Sequence, residues 1–209
     1  MIKNIIFDLC GPIITIDINL IDREFHRLGV KEPYPYQRLC DEGLCERFET
    51  NRISAEAFCD EVRSMLNCSL NDIQICTAWN TLITQFPQSH IDLLKKLRSR
   101  YKVFLLSNSD AINADYFGRY LNFHSYCDLM NEAFDEAFFS YELGLRKPDP
   151  KVFQHIIEKH HLLPEETLHI DDRRMHCDGA RKAGLNAHLL EPDSDICNLF
   201  DTNLNLTIF

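Results

Sequence analysis

The sequence lacks several features that would assign a chain to a class by composition alone. It contains no internal repeat, no low-complexity tract and no apolar run of the length that a membrane helix needs. Basic residues are outnumbered, with 22 Lys and Arg against 32 Asp and Glu and a formal net charge of −10. No basic run stands out, so we expect neither nucleic acid nor a membrane surface as a partner. With 209 residues, 45% of them hydrophobic, the chain is long and apolar enough for a buried core.

Cysteine is plentiful, but its familiar arrangements are absent. None of the nine cysteines forms a C-x-x-C pair, which disfavours a zinc ribbon or a thioredoxin-like site. The first residues offer no signal-peptide segment, because Asp8 interrupts the opening apolar run. We therefore expect a cytoplasmic protein whose cysteines are reduced thiols, most of them buried.

The periodicity of apolar residues divides the chain into two kinds of structure. Residues 17–87 have apolar side chains at spacings of three and four, which is typical of helices. Residues 88–209 alternate between short apolar runs and amphipathic segments, and Ile2–Leu9 forms another buried run. Such alternation favours a parallel sheet covered on both faces. The sequence therefore predicts an α/β core over 1–16 and 88–209, with a helical cap domain over 17–87 inserted after the first strand.

Polar residues follow four of the predicted strands. They are Asp8, Ser107, Asn108, Lys147, Asp171 and Asp172. In open α/β sheets, ligands bind outside the carboxyl ends of the strands. Two or three carboxylates, a hydroxyl and a lysine at one rim would suit an anionic ligand together with a divalent cation.

Each of these residues alone also has a purely structural interpretation. An Asp at a strand end is often a turn former or a helix N-cap, and Ser107 could cap the following helix. Lys147 could be a solvated loop lysine. Asp171 and Asp172 could bind a divalent cation, and without one the two acids would repel each other. The combination in this chain order is therefore far more specific than any of its members.

The motifs in this order resemble a known family, the haloacid dehalogenase-like hydrolases with a helical cap inserted after the first strand. The resemblance spans essentially the whole chain and is carried by Ile5–Gly11, Leu105–Asn108, Gly144–Phe153, and His169–Arg173 followed by Gly179–Leu185. It implies a Rossmann-like three-layer sandwich whose parallel sheet has the strand order 5-4-1-2-3. Most members are Mg²⁺-dependent phosphatases, and a smaller branch dehalogenates 2-haloacids without metal. The tract from Phe7 to Asp17 is most similar to a subgroup that acts on sugar phosphates.

The resemblance implies how a phosphoryl group would be bound and attacked. Asp8 would be the nucleophile, which forms an aspartyl-phosphate. Ser107 and Asn108, with backbone N–H groups near them and the turn at Cys10–Gly11, would bind the substrate. Lys147 would neutralise charge between Asp8 and the phosphoryl group. These roles agree with phosphoryl transfer, which needs positioning and charge neutralisation more than covalent help.

The resemblance also implies a Mg²⁺ cofactor. Its protein ligands would be Asp8, the backbone carbonyl of Cys10 and Asp172, with Asp171 beside them in a supporting role. Mg²⁺ takes oxygen ligands and keeps several waters, so one or two protein carboxylates suffice.

Three positions depart from the family pattern. Cys10 stands where the phosphatases usually carry a second Asp, which protonates the leaving oxygen and then activates water. Pro12 replaces a Thr or Val and removes a backbone N–H donor. His176 occupies the place of an acid or amide, where it could hold a metal-bound water. Because general acid–base help is typically worth about 10²–10⁴-fold, we expect slow or selective hydrolysis that favours easier leaving groups, such as anomeric sugar phosphates.

The sequence thus favours a cytoplasmic Mg²⁺-dependent phosphatase of a small phosphorylated metabolite, acting as a monomer or homodimer. Two alternatives stay open at this point. One is a weak or inactive family member with a binding or regulatory role. The other is a metal-free 2-haloacid dehalogenase, which also needs no second acid but leaves the Asp171–Asp172 pair unexplained.

Overall fold

Five short apolar segments form a parallel sheet at the centre of the molecule. The structure is a computed structural model that describes residues 1–85, 87–122 and 132–208. Its strands are β1 (Asn4–Phe7), β2 (Thr15–Ile16), β3 (Ile83–Gln85), β4 (Lys102–Ser107), β5 (Glu136–Phe139), β6 (Thr167–Asp171) and β7 (Asn186–Leu189). The central sheet has the order β5-β4-β1-β6-β7, and each neighbouring pair is parallel. Counted over these five strands alone, the order is 5-4-1-2-3 read from the β7 edge. The predicted α/β fold class is confirmed.

Helices lie on both faces of the sheet and in the long segment between β2 and β3. They are α1 (Asn19–Arg27), α2 (Pro35–Asp41), α3 (Leu44–Glu49), α4 (Ala55–Met65), α5 (Asp72–Trp79), α6 (Gln88–Leu97), α7 (Ala111–Asn122), α8 (Ser140–Leu143), α9 (Pro150–His160) and α10 (Arg174–Lys182). None of the described helices is long and apolar enough to cross a membrane.

Strand β1 occupies the middle of the sheet because its side chains are apolar on both faces. Ile5 and Phe7 pack into the core layer that contains α6, whereas Ile6 packs into the opposite layer with α9. All three residues are fully buried. A strand buried on both faces reads as a continuous apolar run, which is why the first residues of the chain show no alternation. The end of this strand sets the position of Asp8.

The helices between β2 and β3 have a hydrophobic core of their own. Phe48 and Phe58 stack with their ring centroids 4.2 Å apart, and Trp79 meets Phe58 edge-on at 4.8 Å. Each of these rings is nearly or fully buried. These contacts support the predicted helical cap; its boundaries at residues 17 and 87 stay a prediction, and Phe86 lies outside the described residues.

The expectation of reduced and mostly buried cysteines is wrong in two respects. Cys40 on α2 and Cys45 on α3 form a disulfide, with their Cα atoms 4.9 Å apart. The left-handed turn at Gly43, with φ of 75°, folds the two short helices back on each other and brings the sulfur atoms together. Among the described free cysteines only Cys59 and Cys177 are buried; Cys127 lies outside the described residues.

Candidate active site

A buried lysine joins two carboxylates at the carboxyl end of the sheet. The Nζ atom of Lys147 lies 2.7 Å from Asp8 Oδ1 and 2.8 Å from Asp171 Oδ2. Lys147 is fully buried, so its ammonium must be paired to be tolerated. Although burial opposes its charge, the two carboxylates raise the pKa of Lys147 above its ordinary value. The alternative of a solvated loop lysine is therefore wrong, and Lys147 supplies a fixed positive charge beside Asp8.

Asn108 holds the backbone of Lys147, which lies in the loop between α8 and α9. The side-chain amide of Asn108 donates to the Lys147 carbonyl at 2.9 Å and accepts from the Lys147 N–H at 2.9 Å. The next residue, Pro148, lies so close to α10 that a Cβ on Gly179 would approach the Pro148 carbonyl oxygen to 2.3 Å. Asn108 was expected to bind substrate; the contacts observed give it the additional task of positioning Lys147.

The carboxylate of Asp171 is surrounded by hydrogen-bond donors. Besides Lys147, its carboxylate accepts from His176 Nδ1 at 3.0 Å and from the backbone N–H of Arg173 at 2.8 Å, and it lies 3.1 Å from His169 Nε2. Burial favours its neutral form, but Lys147 and these donors outweigh it and hold the pKa of Asp171 well below its usual range. The carboxylate is therefore ionised and already saturated with donors, which suits a supporting role.

Nδ1 of His176 contacts Asp171 at 3.0 Å, so the metal-bound water expected from the sequence would have to be held by Nε2. Burial lowers the pKa of His176 to about 4, so the imidazole is neutral at pH 7. Asp8, Asp171 and His176 bring ligand-type atoms within 4.8 Å of one another. A cation among these three would compete with the ammonium of Lys147, which already bridges the two acids.

Asp8 lies at the first residue after β1, where the chain turns. Its Oδ1 accepts from the N–H of Leu9 at 2.7 Å and lies 2.7 Å from Lys147 Nζ, whereas none of the described residues donates to Oδ2. Burial raises the pKa of Asp8 to about 7, against the opposing attraction of Lys147. Burial likewise raises the pKa of the neighbouring Cys10 thiol, which remains protonated at neutral pH.

The second acid of the pair faces the turn after Asp8. Gly11 has φ of +108°, and a Cβ added there would lie 2.4 Å from Asp172 Oδ2. Only glycine fits this contact. Asp172 is more exposed than Asp171; burial and the charge of Asp171 raise the pKa of its carboxyl group, against the opposing attraction of Arg173 and Lys147. Asp171 and Asp172 thus have separate surroundings, one filled by donors and one open.

Ser107 ends strand β4 as predicted and is 1% exposed. Its hydroxyl lies 3.4 Å from the Asn108 carbonyl, at the limit of a hydrogen bond. The alternative that Ser107 caps the following helix is wrong. The cap of α7 is Asp110, whose Oδ1 accepts from the N–H groups of Ile112 and Asn113 at 2.9 Å.

A cleft between the helices and the sheet opens above Asp8. Residues from both sides line it. Among the charged and amide side chains that do so, sequence reasoning did not single out Glu49, Asp110, Asn113, Arg146 and Arg173. Polar contacts between described residues cross the cleft. The indole N–H of Trp79 donates to Asp110 Oδ2 at 2.9 Å, and Arg146 Nη2 lies 3.2 Å from Glu49 Oε2. Arg146 and Arg173 adjoin Lys147 and Asp172 in sequence, so adjacency to the motifs was the available signal; Glu49 offered none.

This fold and this site define the class of the protein. The model of the haloacid dehalogenase-like hydrolase family matches residues 2–184. The chain therefore belongs to the haloacid dehalogenase-like hydrolases, as the motifs indicated.

Individual relatives make the similarity more specific. The chain is 30% identical over 173 residues to the D-ribitol-5-phosphate phosphatase of Bacteroides thetaiotaomicron. The aligned region covers 82% of this chain and 84% of the relative. A crystal structure of a family enzyme from Bacteroides thetaiotaomicron, in complex with magnesium and inorganic phosphate, matches with a TM-score of 0.85 at 30% identity, over 96% of this chain and 100% of that one. A predicted family hydrolase from Porphyromonas gingivalis matches with a TM-score of 0.81 at 28% identity, over 93% of each chain.

Proposed function

We propose that this protein is a Mg²⁺-dependent phosphatase that acts on a small phosphorylated polyol or sugar through an aspartyl-phosphate on Asp8. The observation that carries the proposal is the buried ammonium of Lys147, held between Asp8 and Asp171 beneath an open cleft. Further support comes from the relative named for D-ribitol-5-phosphate and from the neighbour that holds magnesium and phosphate.

In the first step, Asp8 Oδ2 forms a bond to phosphorus while the bond between phosphorus and the leaving oxygen breaks. The leaving oxygen takes up a proton from solvent water. A second water molecule then attacks phosphorus, the bond between phosphorus and Asp8 Oδ2 breaks, and the attacking water loses a proton to solvent, which releases phosphate and restores the Asp8 carboxylate. Lys147 offsets negative charge at the attacked phosphoryl group, and its fixed position means that little reorganisation is needed at the moment of reaction. Ser107 and backbone N–H groups near it would bind the remaining phosphoryl oxygens.

The residues present fit a magnesium site beside Asp8. Asp8, the backbone carbonyl of Cys10 and Asp172 would be the ligands, all of them oxygen donors of the kind that Mg²⁺ prefers. The missing Cβ of Gly11 leaves the room in which the Asp172 carboxylate sits against the turn. When bound, Mg²⁺ would neutralise phosphoryl charge and favour the ionised form of Asp8.

The proposal is tested by phosphate release from D-ribitol 5-phosphate and from p-nitrophenyl phosphate, with Mg²⁺ and with a chelator. We expect turnover that needs Mg²⁺ and that falls about 10²-fold or more in Asp172→Asn, because an amide is a weaker cation ligand than a carboxylate. An exposed matched variant, Asp92→Asn, is the control. Phosphate release that is unaffected by chelator, or halide release from 2-chloropropionate in its place, would overturn the proposal.

Restoring a carboxylate at position 10 should increase the rate. Cys10 lines the cleft beside Asp8, and its raised pKa makes the thiol a poor base for activating water. We expect Cys10→Asp to raise kcat for ribitol phosphate by roughly ten-fold or more, since positioned acid–base help typically contributes about 10²–10⁴-fold.

The leaving group decides whether this gain comes from proton transfer. A p-nitrophenolate leaves without protonation, so its release should gain much less from Cys10→Asp than the release of a polyol does. Cys10→Asn, of the same shape but without a titratable group, is the matched control. An equal gain for both substrates, or an equal gain in Cys10→Asn, would contradict this role for position 10.

A further inference from the structure

Two buried oxygen atoms in the cleft have no hydrogen-bond donor among the described residues. They are Glu49 Oε2, from α3 of the helical region, and Asn113 Oδ1, from α7 of the α/β core. Both residues line the same cleft as Asp8. Unpaired buried acceptors are costly and uncommon, so each of these two atoms is suited to accept a hydrogen bond from a bound ligand.

The orientation of the Asn113 amide follows from its neighbour Asp110. Asn113 Nδ2 donates to Asp110 Oδ2 at 2.7 Å. Asp110 also accepts from the indole of Trp79 and from two backbone N–H groups, so its carboxylate acts as an acceptor throughout. The reverse orientation of the amide would place two acceptors face to face. Asn113 therefore presents its carbonyl oxygen as the unpaired atom.

The charge of Glu49 is compensated by Arg146, but its Oε2 atom accepts no hydrogen bond from the described residues. Arg146 Nη2 lies 3.2 Å from Oε2, yet its N–H is not directed at that oxygen as a hydrogen bond requires. Burial raises the pKa of Glu49 to about 7, although Arg146 and Arg173 both lower it. The carboxyl group can thus accept a neutral donor without further charge compensation.

We infer that Glu49 and Asn113 form a subsite that recognises hydroxyl groups of the leaving group, so that the enzyme selects polyhydroxylated phosphates over phosphates of plain alkyl chains. This inference rests on the proposed phosphatase function. A hydroxyl fits because it donates to an acceptor without bringing charge. An ammonium group would instead meet the guanidinium groups of Arg146 and Arg173, and a carboxylate would meet Glu49 and Asp110.

The two acceptors come from opposite sides of the cleft, which gives the subsite a second property. A substrate whose hydroxyls reach both oxygens would join the helical region to the α/β core above Asp8. Binding of such a substrate would therefore close the cleft over the phosphoryl group and exclude water from it. A substrate without hydroxyl groups would not close the cleft.

The test compares two substrates of equal chain length, a pentitol 5-phosphate and n-pentyl phosphate. In the wild-type enzyme we expect kcat/KM to favour the pentitol phosphate, since a site built to hydrogen-bond hydroxyls rejects the analogue that lacks them. In Glu49→Gln and in Asn113→Ala the ratio of the two kcat/KM values should fall by about ten-fold or more. Glu56→Gln, an exposed change in the neighbouring helix α4, is the matched control.

The possible outcomes distinguish a failure of the subsite from a failure of the proposed phosphatase function. An equal loss of kcat/KM on both substrates would leave their ratio unchanged and would assign Glu49 and Asn113 to holding the cap rather than to recognition. No loss on either substrate would likewise refute the subsite. Absence of turnover on both substrates in wild type would overturn the phosphatase proposal instead. In that case the subsite is tested by calorimetric titration of the Asp8→Asn protein with the same two phosphates. The inference requires that this protein bind the pentitol phosphate more tightly than n-pentyl phosphate. Adding Asn113→Ala should remove this preference. Thermal melting confirms that each variant is folded.

Discussion

Phosphate release by an Asp8→Asn variant should fall by about 10⁴-fold or more, because an amide cannot attack phosphorus and form the covalent intermediate. The fold should survive this change. Asparagine has nearly the shape of aspartate, and Lys147 keeps its contact with Asp171 at 2.8 Å. The measurement is kcat with D-ribitol 5-phosphate, together with an acid quench of the wild-type reaction with ³²P-labelled substrate.

Two comparisons make this result specific to Asp8. Wild-type protein quenched in acid should retain label on the chain, and the Asp8→Asn protein should retain none. The exposed Asp92→Asn change should leave both the rate and the labelling as in wild type. Residual turnover above about one per cent of wild type, which no contaminating hydrolase explains, would mean that another group attacks the phosphoryl centre.

Removal of the buried cation should have the second large effect, and it should act on stability as well as on rate. In Lys147→Met the carboxylates of Asp8 and Asp171 would face each other in a buried site without their shared ammonium. Breaking a buried ion pair by removing one partner typically costs about 3–5 kcal/mol of the free energy of unfolding. We also expect kcat to fall by about 10²–10³-fold, the loss typical of a charge-stabilising donor.

The stability loss in Lys147→Met should depend on pH in a defined direction. Without the ammonium, the folded-state pKa of Asp8, which is already about 7 in the wild type, rises further above that of the unfolded chain, and the pKa of Asp171 rises from its lowered value. Between the unfolded and the folded pKa the native state then binds more protons, so its stability falls as pH rises. The deficit should therefore be smaller at pH 5 than at pH 8.

Urea unfolding of wild type and Lys147→Met at these two pH values measures the effect, with Lys96→Met on the exposed face of α6 as control. If Lys147→Met loses the same free energy of unfolding at both pH values, the lost packing of the lysine side chain is responsible and the unpaired charge of the two acids is not.

The sequence was sufficient to predict the part of the site that the sheet itself organises. Asp8, Ser107 and the Asp171–Asp172 pair follow strands, and the carboxyl ends of parallel strands meet at one rim whatever the details of packing. Lys147 could be placed there only through the motif around it, since a loop lysine has no periodicity. Lys147 is fully buried, and Asn108 bonds to its backbone, only because the loop between α8 and α9 packs against α10.

The residues that the sequence did not predict are those whose role depends on how the helical region sits on the sheet. Glu49 ends a short helix and shows no pattern that separates it from a solvated acid. Asn113 follows an ordinary helix start, and its role emerges only from the orientation that Asp110 gives to it. The pairing of Cys40 with Cys45 likewise required the turn at Gly43.

The contact between Trp79 and Asp110 gives the molecule a built-in optical probe. Trp79 is the single tryptophan of the sequence, and its indole N–H reaches across the cleft to a carboxylate of the opposite side. Any movement that parts the two sides must break this hydrogen bond and bring the ring nearer to water. The intrinsic fluorescence of the unlabelled protein therefore reports directly on opening and closing, so that ligand-driven motion can be followed in real time by stopped-flow emission.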